Sequence, residues 1–348
     1  MAYSSIVKPS DYFNTKLYTG NGSTQSITGV GFQPDWVWIK ERSSTSSHAL
    51  FDAIRGATIK LSSNNTDANN TSTADLTSFN SDGFTNGNSG AVNESGQTYA
   101  SWNWKANGAG SANTDGSISS TVSVNTTSGF SIVKYTGNAS AGATIGHGLG
   151  VIPKVMIVKN LSEAYNWAVY HEGLGSHTKY LYLDATNAVA TDSGNFDNVP
   201  TSSTFLVGSN STVNKNGNNY IAYCFAEKKG FSKFGSYTGN GSASSGTFIY
   251  TGFKPAFVMI KRTDTIGSWE MYDAKREGFN PQVHGLTANT SNVEDNTDDL
   301  LDLLSNGFKL YHDGGGLNAS GGSYIYMAFS EEPLVANSGT DGVPATAR

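Results

Sequence analysis

The chain has 348 residues, of which 14% are charged, 11% are aromatic and 40 are glycine, with a net charge of −6 and one cysteine. That length suits two or three ordinary domains, an acidic balance without a basic patch excludes a nucleic-acid binder, and a lone cysteine excludes an intrachain disulfide framework. Low charge with abundant glycine, asparagine and aromatics describes an all-β protein rich in turns, not a disordered chain.

The N-terminal stretch MAYSSIVKPSDYF has no basic segment leading into an apolar one, and no transmembrane stretch follows, so synthesis in a cytoplasm without a signal peptide is expected. Residues 17–40, LYTGNGSTQSITGVGFQPDWVWIK, read as a strand, a Gly-Asn turn, a second strand and a Gly-Phe-x-Pro lead-in to a third. Trp36 and Trp38 fall on one face of that third strand and Val37 and Ile39 on the other, which predicts a strand covered on both sides. Proline at its start costs no ladder hydrogen bond. HALFD (48–52), the turn-and-strand SDGFT (81–85) and YASWNWK from Tyr99 complete a first unit. DANNTSTADLTSFNSDGF (67–84) has the composition of a calcium loop but not the spacing of an EF-hand.

The same landmarks then return twice. Tyr18, Tyr135 and Tyr237 open YTGN motifs spaced 117 and 102 residues apart. Pro153 and Pro255 lead into PKVMIVK and PAFVMIK; WAVYH (167–171) and WEMYD (269–273) match HALFD. STFLVG (203–208) and SNGFKL (305–310) match SDGFT, and YIAYCFAEK from Tyr220 and YIYMAFSEE from Tyr324 close the copies. Residues 106–128 form a low-complexity bridge with one edge strand at SISSTVSVN, whereas EKKGFSKFGS joins the later units with almost no slack. VEDNTDDLLDLLSNGF (293–308) is the one stretch of helical character, and the final residues have no periodic pattern, as expected of a tail that is disordered or laid along a neighbour. A period near 100 residues is too long for a solenoid or a propeller blade. The expected fold is all-β: three tandem antiparallel β-sandwich, jelly-roll-like modules from an internal triplication, with little helix, at 1–105, 129–230 and 231–332, a linker at 106–128 and a tail at 333–348.

Chemistry is sparse. The acidic residues Glu163, Glu172, Glu270, Asp273 and the cluster Asp298, Asp299 and Asp302 do not recur across the copies, so no catalytic carboxylate pair is expected. His171 and His177 flank a glycine-rich turn with no further ligand, so no metal and no cofactor are expected. His48 stands where the other copies have Trp167 and Trp269, which points to packing under a loop, and Cys224 reads as a small core residue. GVGFQP and IGHGLGVIP lack the Gly-Lys-Ser/Thr ending of a phosphate loop and precede strands, not helices. The binding candidates are aromatics beside Asn, Ser and Gly loops: Tyr165, Trp167, Tyr180, Tyr182, Trp269 and Tyr272. Sealing of the sandwich ends is the competing reading for all six.

KPSDYFNTKLYTGNGSTQSITGVGFQPDWVWIK, FDAIRGA, SFNSDGF, YASWNWKANGAG, AEKKGFSKFGSYTGNGS, GFKPAFVMIKRTDT and NASGGSYIYMAF together resemble a family of marine bacteriophage virion proteins, cyanophage- and pelagiphage-like, over nearly the whole chain. The resemblance implies a non-enzymatic structural component of the virion and no catalytic residues. Three roles compete: a tail fibre or other receptor-binding appendage for host attachment, touching a surface glycan or protein; a capsid decoration protein, favoured by the lack of a heptad shaft; and, least, a polysaccharide depolymerase. By analogy with phage fibres the expected partners are other virion proteins and two further copies in a homotrimer, with no membrane insertion. A monomer with internal pseudo-symmetry is the competing expectation.

Overall fold

The computed structural model describes residues 4–296 and 301–333. The chain is all-β with antiparallel sheets, and among the described residues helix is limited to short turns such as Gly90–Asn93 and Ser211–Asn214. Among the described residues no helix is long and apolar enough to cross a membrane.

Three main sheets share one strand order. In the first, the opening strand Phe13–Thr19 pairs with the closing strand Thr98–Trp104, which pairs with the proline-led strand Trp36–Glu41 and that with Ala49–Asp52. The second runs Phe130–Thr136, Asn219–Phe225, Val155–Asn160, Ala168–His171. The third runs Ser232–Thr238, Ser323–Pro333, Phe253–Arg262, Trp269–Asp273. A smaller sheet belongs to each: Gln25–Thr28 with Gly83–Asn86 and Leu76–Asn80; Ala143–Gly146 with Thr204–Val207; Phe248–Tyr250 with Gly307–Leu310 and Leu301–Leu304. The bridge between the first two segments contributes strands Ser111–Asn113 and Ser120–Asn125 to the edge of the second main sheet.

The helix expected within 293–308 is a correction. Residues 297–300 lie outside the described residues, and Leu301–Leu304 is a strand paired with Gly307–Leu310. Leu301 and Leu303 are buried while Asp302 and Leu304 are partly exposed, so the run follows period two. Ser305 and Asn306 form a two-residue hairpin turn that pins this register.

Double-sided burial decides the architecture. Trp36, Trp38, Trp102 and Trp104 of the first sheet share one hydrophobic core with Ile157, Tyr223 and Phe225 of the second and Phe257, Met259 and Phe329 of the third. The opposite faces pack into separate cores: Val37 and Ile39 with Ile27 and Phe84, Met156 and Val158 with Ile145 and Phe205, Val258 and Ile260 with Ile249 and Phe308. Aromatic rings from all three sheets meet in the shared core, with Trp36 stacked on Tyr223 at 4.3 Å between centroids and Phe329 5.7 Å from both Trp104 and Phe225. Each fully buried large apolar side chain contributes about 1.5–3 kcal/mol, so no main sheet is stable with its inner face in water.

The YTGN motif is the clasp at the outer end of each main sheet. The opening tyrosine stacks on the closing-strand tyrosine in all three places: Tyr18 on Tyr99 at 5.0 Å, Tyr135 on Tyr220 at 5.1 Å and Tyr237 on Tyr324 at 4.9 Å. Their hydroxyls donate to Val92 O, Val213 O and Leu317 O at 2.7 Å. The motif asparagine's amide donates to the side chain of Asn93, Asn214 or Asn318, and its own side-chain oxygen accepts from the amide two residues on. The motif glycine has no room for a side chain: a Cβ at Gly20, Gly137 or Gly239 would lie 2.2, 2.4 or 2.3 Å from a carbonyl oxygen of the clasped turn. Gly137→Ala is therefore expected to lower unfolding stability by about 1–3 kcal/mol, as overpacking does. An unchanged urea midpoint would show that the turn moves aside freely and that the clasp is not rigid.

Candidate functional site

The six aromatic candidates fall into different environments. Trp167 and Trp269 are 0% and 2% exposed in the shared core, and Tyr272 is fully buried in the core of the third segment. Tyr180 is buried at 9% exposure and meets Tyr182 edge-on at 5.2 Å. Tyr182 and Tyr165 are half-buried, and the Lys215 ammonium lies 5.9 Å from the centre of the Tyr165 ring.

What Trp167 and Trp269 do is join segments. The indole N–H of Trp167 donates to Ser62 O of the first segment at 3.0 Å, and that of Trp269 donates to Tyr182 O of the second at 2.9 Å. His48, at the matching position, completes the ring by contacting Thr287 O of the third segment at 3.1 Å through Nε2. Its tautomer follows from its other neighbour. Trp38 Nε1–H can only donate, and it reaches His48 Nδ1 at 2.7 Å, so Nδ1 is bare and Nε2 carries the proton. Burial pushes the His48 pKa down to about 3, with the Lys40 charge acting in the same direction.

A second ring of contacts lies four residues further along each chain copy. Tyr223 OH donates to Asp52 Oδ2 at 2.8 Å, Trp102 Nε1–H donates to Asp273 Oδ2 at 3.0 Å, and His171 Nε2 meets Tyr326 O at 3.1 Å. Asp52 also holds Arg55, and Asp273 holds Arg276 at 2.6 Å, the side chains of both arginines being almost wholly buried. Gly173 N–H donates to His171 Nδ1, which leaves Nε2–H to donate to Tyr326 O. Burial lowers the His171 pKa to about 4.

The third ring is made by the penultimate residues of the proline-led strands, Lys40, Lys159 and Lys261, all 0% exposed. Each ammonium donates to a carbonyl of its own segment: Glu41 O at 2.7 Å, Tyr165 O at 2.7 Å and Arg262 O at 2.6 Å. Each also reaches a carbonyl of a neighbour: Ser291 O at 3.4 Å, Thr66 O at 2.9 Å and Thr186 O at 3.3 Å. Burial lowers all three pKa values to about 8, partly offset by nearby carboxylates. Among the buried titratable groups, His48, His171, Asp52, Asp273 and these three lysines thus act as connectors. Cys224 is likewise buried, its thiol pushed up to about 12 by burial, which leaves no thiolate at neutral pH.

Two features of the described surface stand out as places for contact with other molecules. A cleft of about 530 Å³ between the first and third segments is lined by Thr45, Glu270, Thr287, Asn292, Glu294 and Asp295. Glu294 in its wall is held by Arg42 at 2.7 Å and Arg276 at 2.8 Å. The other feature is the outward row of the strand Phe248–Tyr250, where Phe248 and Tyr250 are 45% and 59% exposed. The register places these two level with Ser26 and Thr28 of the first segment and with Thr144 and Gly146 of the second. The sequence signal for them was present: FIY stands where the other copies have SIT and TIG. Among the described residues no group of three or more His, Cys, Asp or Glu side chains gathers as a metal site would require.

Two outcomes check these assignments. Trp167→Ala is expected to cost roughly 3–5 kcal/mol as a buried large-to-small change, whereas Tyr250→Ser stays within about 0.5 kcal/mol as a surface change; similar losses at both positions in urea unfolding would contradict the placement. Histidines of lowered pKa lose stability on acidification, because below about pH 6.5 the unfolded chain binds protons that the folded chain refuses until about pH 4 or 3. The urea midpoint should fall from pH 7 to pH 5, and fall less in His171→Gln; parallel curves for the two proteins would rule out His171 as a source of the drop.

Residues 8–333 match the model of a family described as a domain of unknown function (DUF7483), a span that includes all three segments. No curated protein and no solved structure matches the chain.

Proposed function

The chain belongs to the DUF7483 family, and we propose that it is a non-enzymatic structural protein of a bacteriophage virion, acting as a tail fibre or other receptor-binding appendage. In this reading the fold is a triplicated β-sandwich: each main sheet and its small sheet form one module, and the recurring strand order with the repeated YTGN clasp supports descent from one unit. The observation that carries the reading is the set of three rings of hydrogen bonds, in which His48, His171, Asp52, Asp273 and three buried lysines tie segments together beside Trp167 and Trp269. A chain built this way suits bearing load and presenting loops. The resemblance to marine phage virion proteins gives that role its setting.

The partners in this proposal are other virion proteins, further copies of the chain as a homotrimer, and a glycan or protein of the host surface. Capsid decoration is the second reading, and copy number separates the two. Quantitative mass spectrometry of purified particles of a phage encoding the chain should find a small multiple of three copies per particle. Hundreds of copies would replace the appendage with a decoration protein, and absence from the particle would overturn both.

A further inference from the structure

The histidines at the contacts between segments are not spread evenly. His48, of the first segment, reaches Thr287 O of the third, and His171, of the second, reaches Tyr326 O of the third, both at 3.1 Å. Where the first and second segments meet, the same two positions hold Trp167, whose indole donates to Ser62 O, and Asp52, which accepts from Tyr223 OH. Both joints of the third segment therefore carry a histidine, and among the described residues no histidine side chain bonds across the joint of the other two. His147 is buried as well, but it accepts from Leu149 N–H and contacts Thr201 O, so its partners stay within the second segment.

Neither joint histidine can take a second proton without losing a bond. Nδ1 of His48 accepts from Trp38 Nε1–H at 2.7 Å, and Nδ1 of His171 accepts from Gly173 N–H at 3.0 Å. A proton on Nδ1 sets two donors against each other and removes the bond that aims Nε2 across the joint. It also charges a ring that is 0% or 1% exposed, and water reaches that charge only where the joint parts. The Lys40 ammonium repels a charge on His48; Glu41 and Glu294 lie beyond that lysine, and the Asp273 and Arg276 pair lies beyond Trp102. Glu172 favours a proton on His171 and is itself held by Lys154. On the strand Ser232–Thr238 packed there, Lys233 is paired with Glu227 at 2.8 Å.

We propose that the third segment is an acid-released unit: on acidification it parts from the first and second segments before these two part from each other. In the parted arrangement both histidines stand in water and bind protons near the ordinary value of 6.5, whereas the closed joints hold His48 down to about 3 and His171 to about 4. The closed joints are therefore at full strength above pH 6.5 and weaken as the pH falls toward those two values. Between pH 7 and pH 5 each histidine raises the opening constant roughly 20-fold. The joint of the first and second segments, built on an indole and an aspartate–tyrosine bond, has no such dependence on a histidine. Opening of this kind is sub-global, and the rest of each sheet stays folded.

One indole N–H crosses each joint and serves as its probe: Trp102 to Asp273 between the first and third segments, Trp269 to Tyr182 between the second and third, and Trp167 to Ser62 between the first and second. The exchange of these three protons is followed by NMR on the full-length chain at pH 7 and pH 5, each rate divided by that of free N-acetyltryptophanamide at the same pH. Protection of Trp102 and Trp269 is expected to fall about tenfold or more, while that of Trp167 stays within about threefold. Equal falls at all three indoles, or no fall at any, overturn the proposal. In the His48→Gln, His171→Gln variant each glutamine keeps one acceptor and one donor but takes no proton, so the fall at Trp102 and Trp269 should vanish. A fall as large as in the parent also overturns it. The comparison of the three indoles in the parent chain stands without the variant.

Discussion

Each of the three central strands carries, one residue before its end, an ammonium group removed from water, and its hydrogen-bond partners come from two segments at once. An ammonium has only donors to offer, so burial is tolerable where carbonyl oxygens surround it. Parting two segments would strip away one of those oxygens and wet the tryptophan-rich faces beneath. Burial and hydrogen bonding therefore act on the same joint. The three lysines keep each segment dependent on its neighbour, and the shared aromatic core makes that dependence energetically large.

The copies meet one geometric need with different side chains. At the position of His48, Trp167 and Trp269 the requirement is a flat ring with an N–H aimed at a neighbour's carbonyl, and imidazole or indole meets it. At Asp52, His171 and Asp273 it is a polar group that pairs with the closing strand of the next segment, and the donor is on the closing strand in two cases and on the histidine in the third. Inward positions keep their physical role even where the residue type changes. Outward positions show the opposite behaviour. Ser26, Thr144 and Phe248 occupy one register position and meet water, a covering segment and an uncovered edge among the described residues, respectively.

Much of this was legible in the sequence, for identifiable reasons. WVWIK, VMIVK and FVMIK are apolar at every other residue on both faces, and each strand lies between two cores. The glycine of YTGN signals a tight crossing because only a residue without Cβ fits there. The Leu-rich run at 301–304 misled because three leucines in four residues satisfy a helical or a strand pattern equally well, and the hairpin turn that follows decides between them. Trp167 and Trp269 were read as surface candidates because their flanking loops are polar. The carbonyls that cover them come from residues 87 and 105 positions away, as the bonds to Tyr182 O and Ser62 O show.

The amino-acid order by itself determined where most strands and turns form, which strands are apolar on both faces, and that one pattern occurs three times. Those are local properties, set by side-chain alternation and by the few residues that accept a turn. Only the tertiary structure decided what lies against each apolar face. Periodicity states that a face needs cover but carries no record of which distant segment supplies it, so the shared core, the cross-segment lysines and the two aromatics exposed on an edge strand emerge only when all three sheets are assembled.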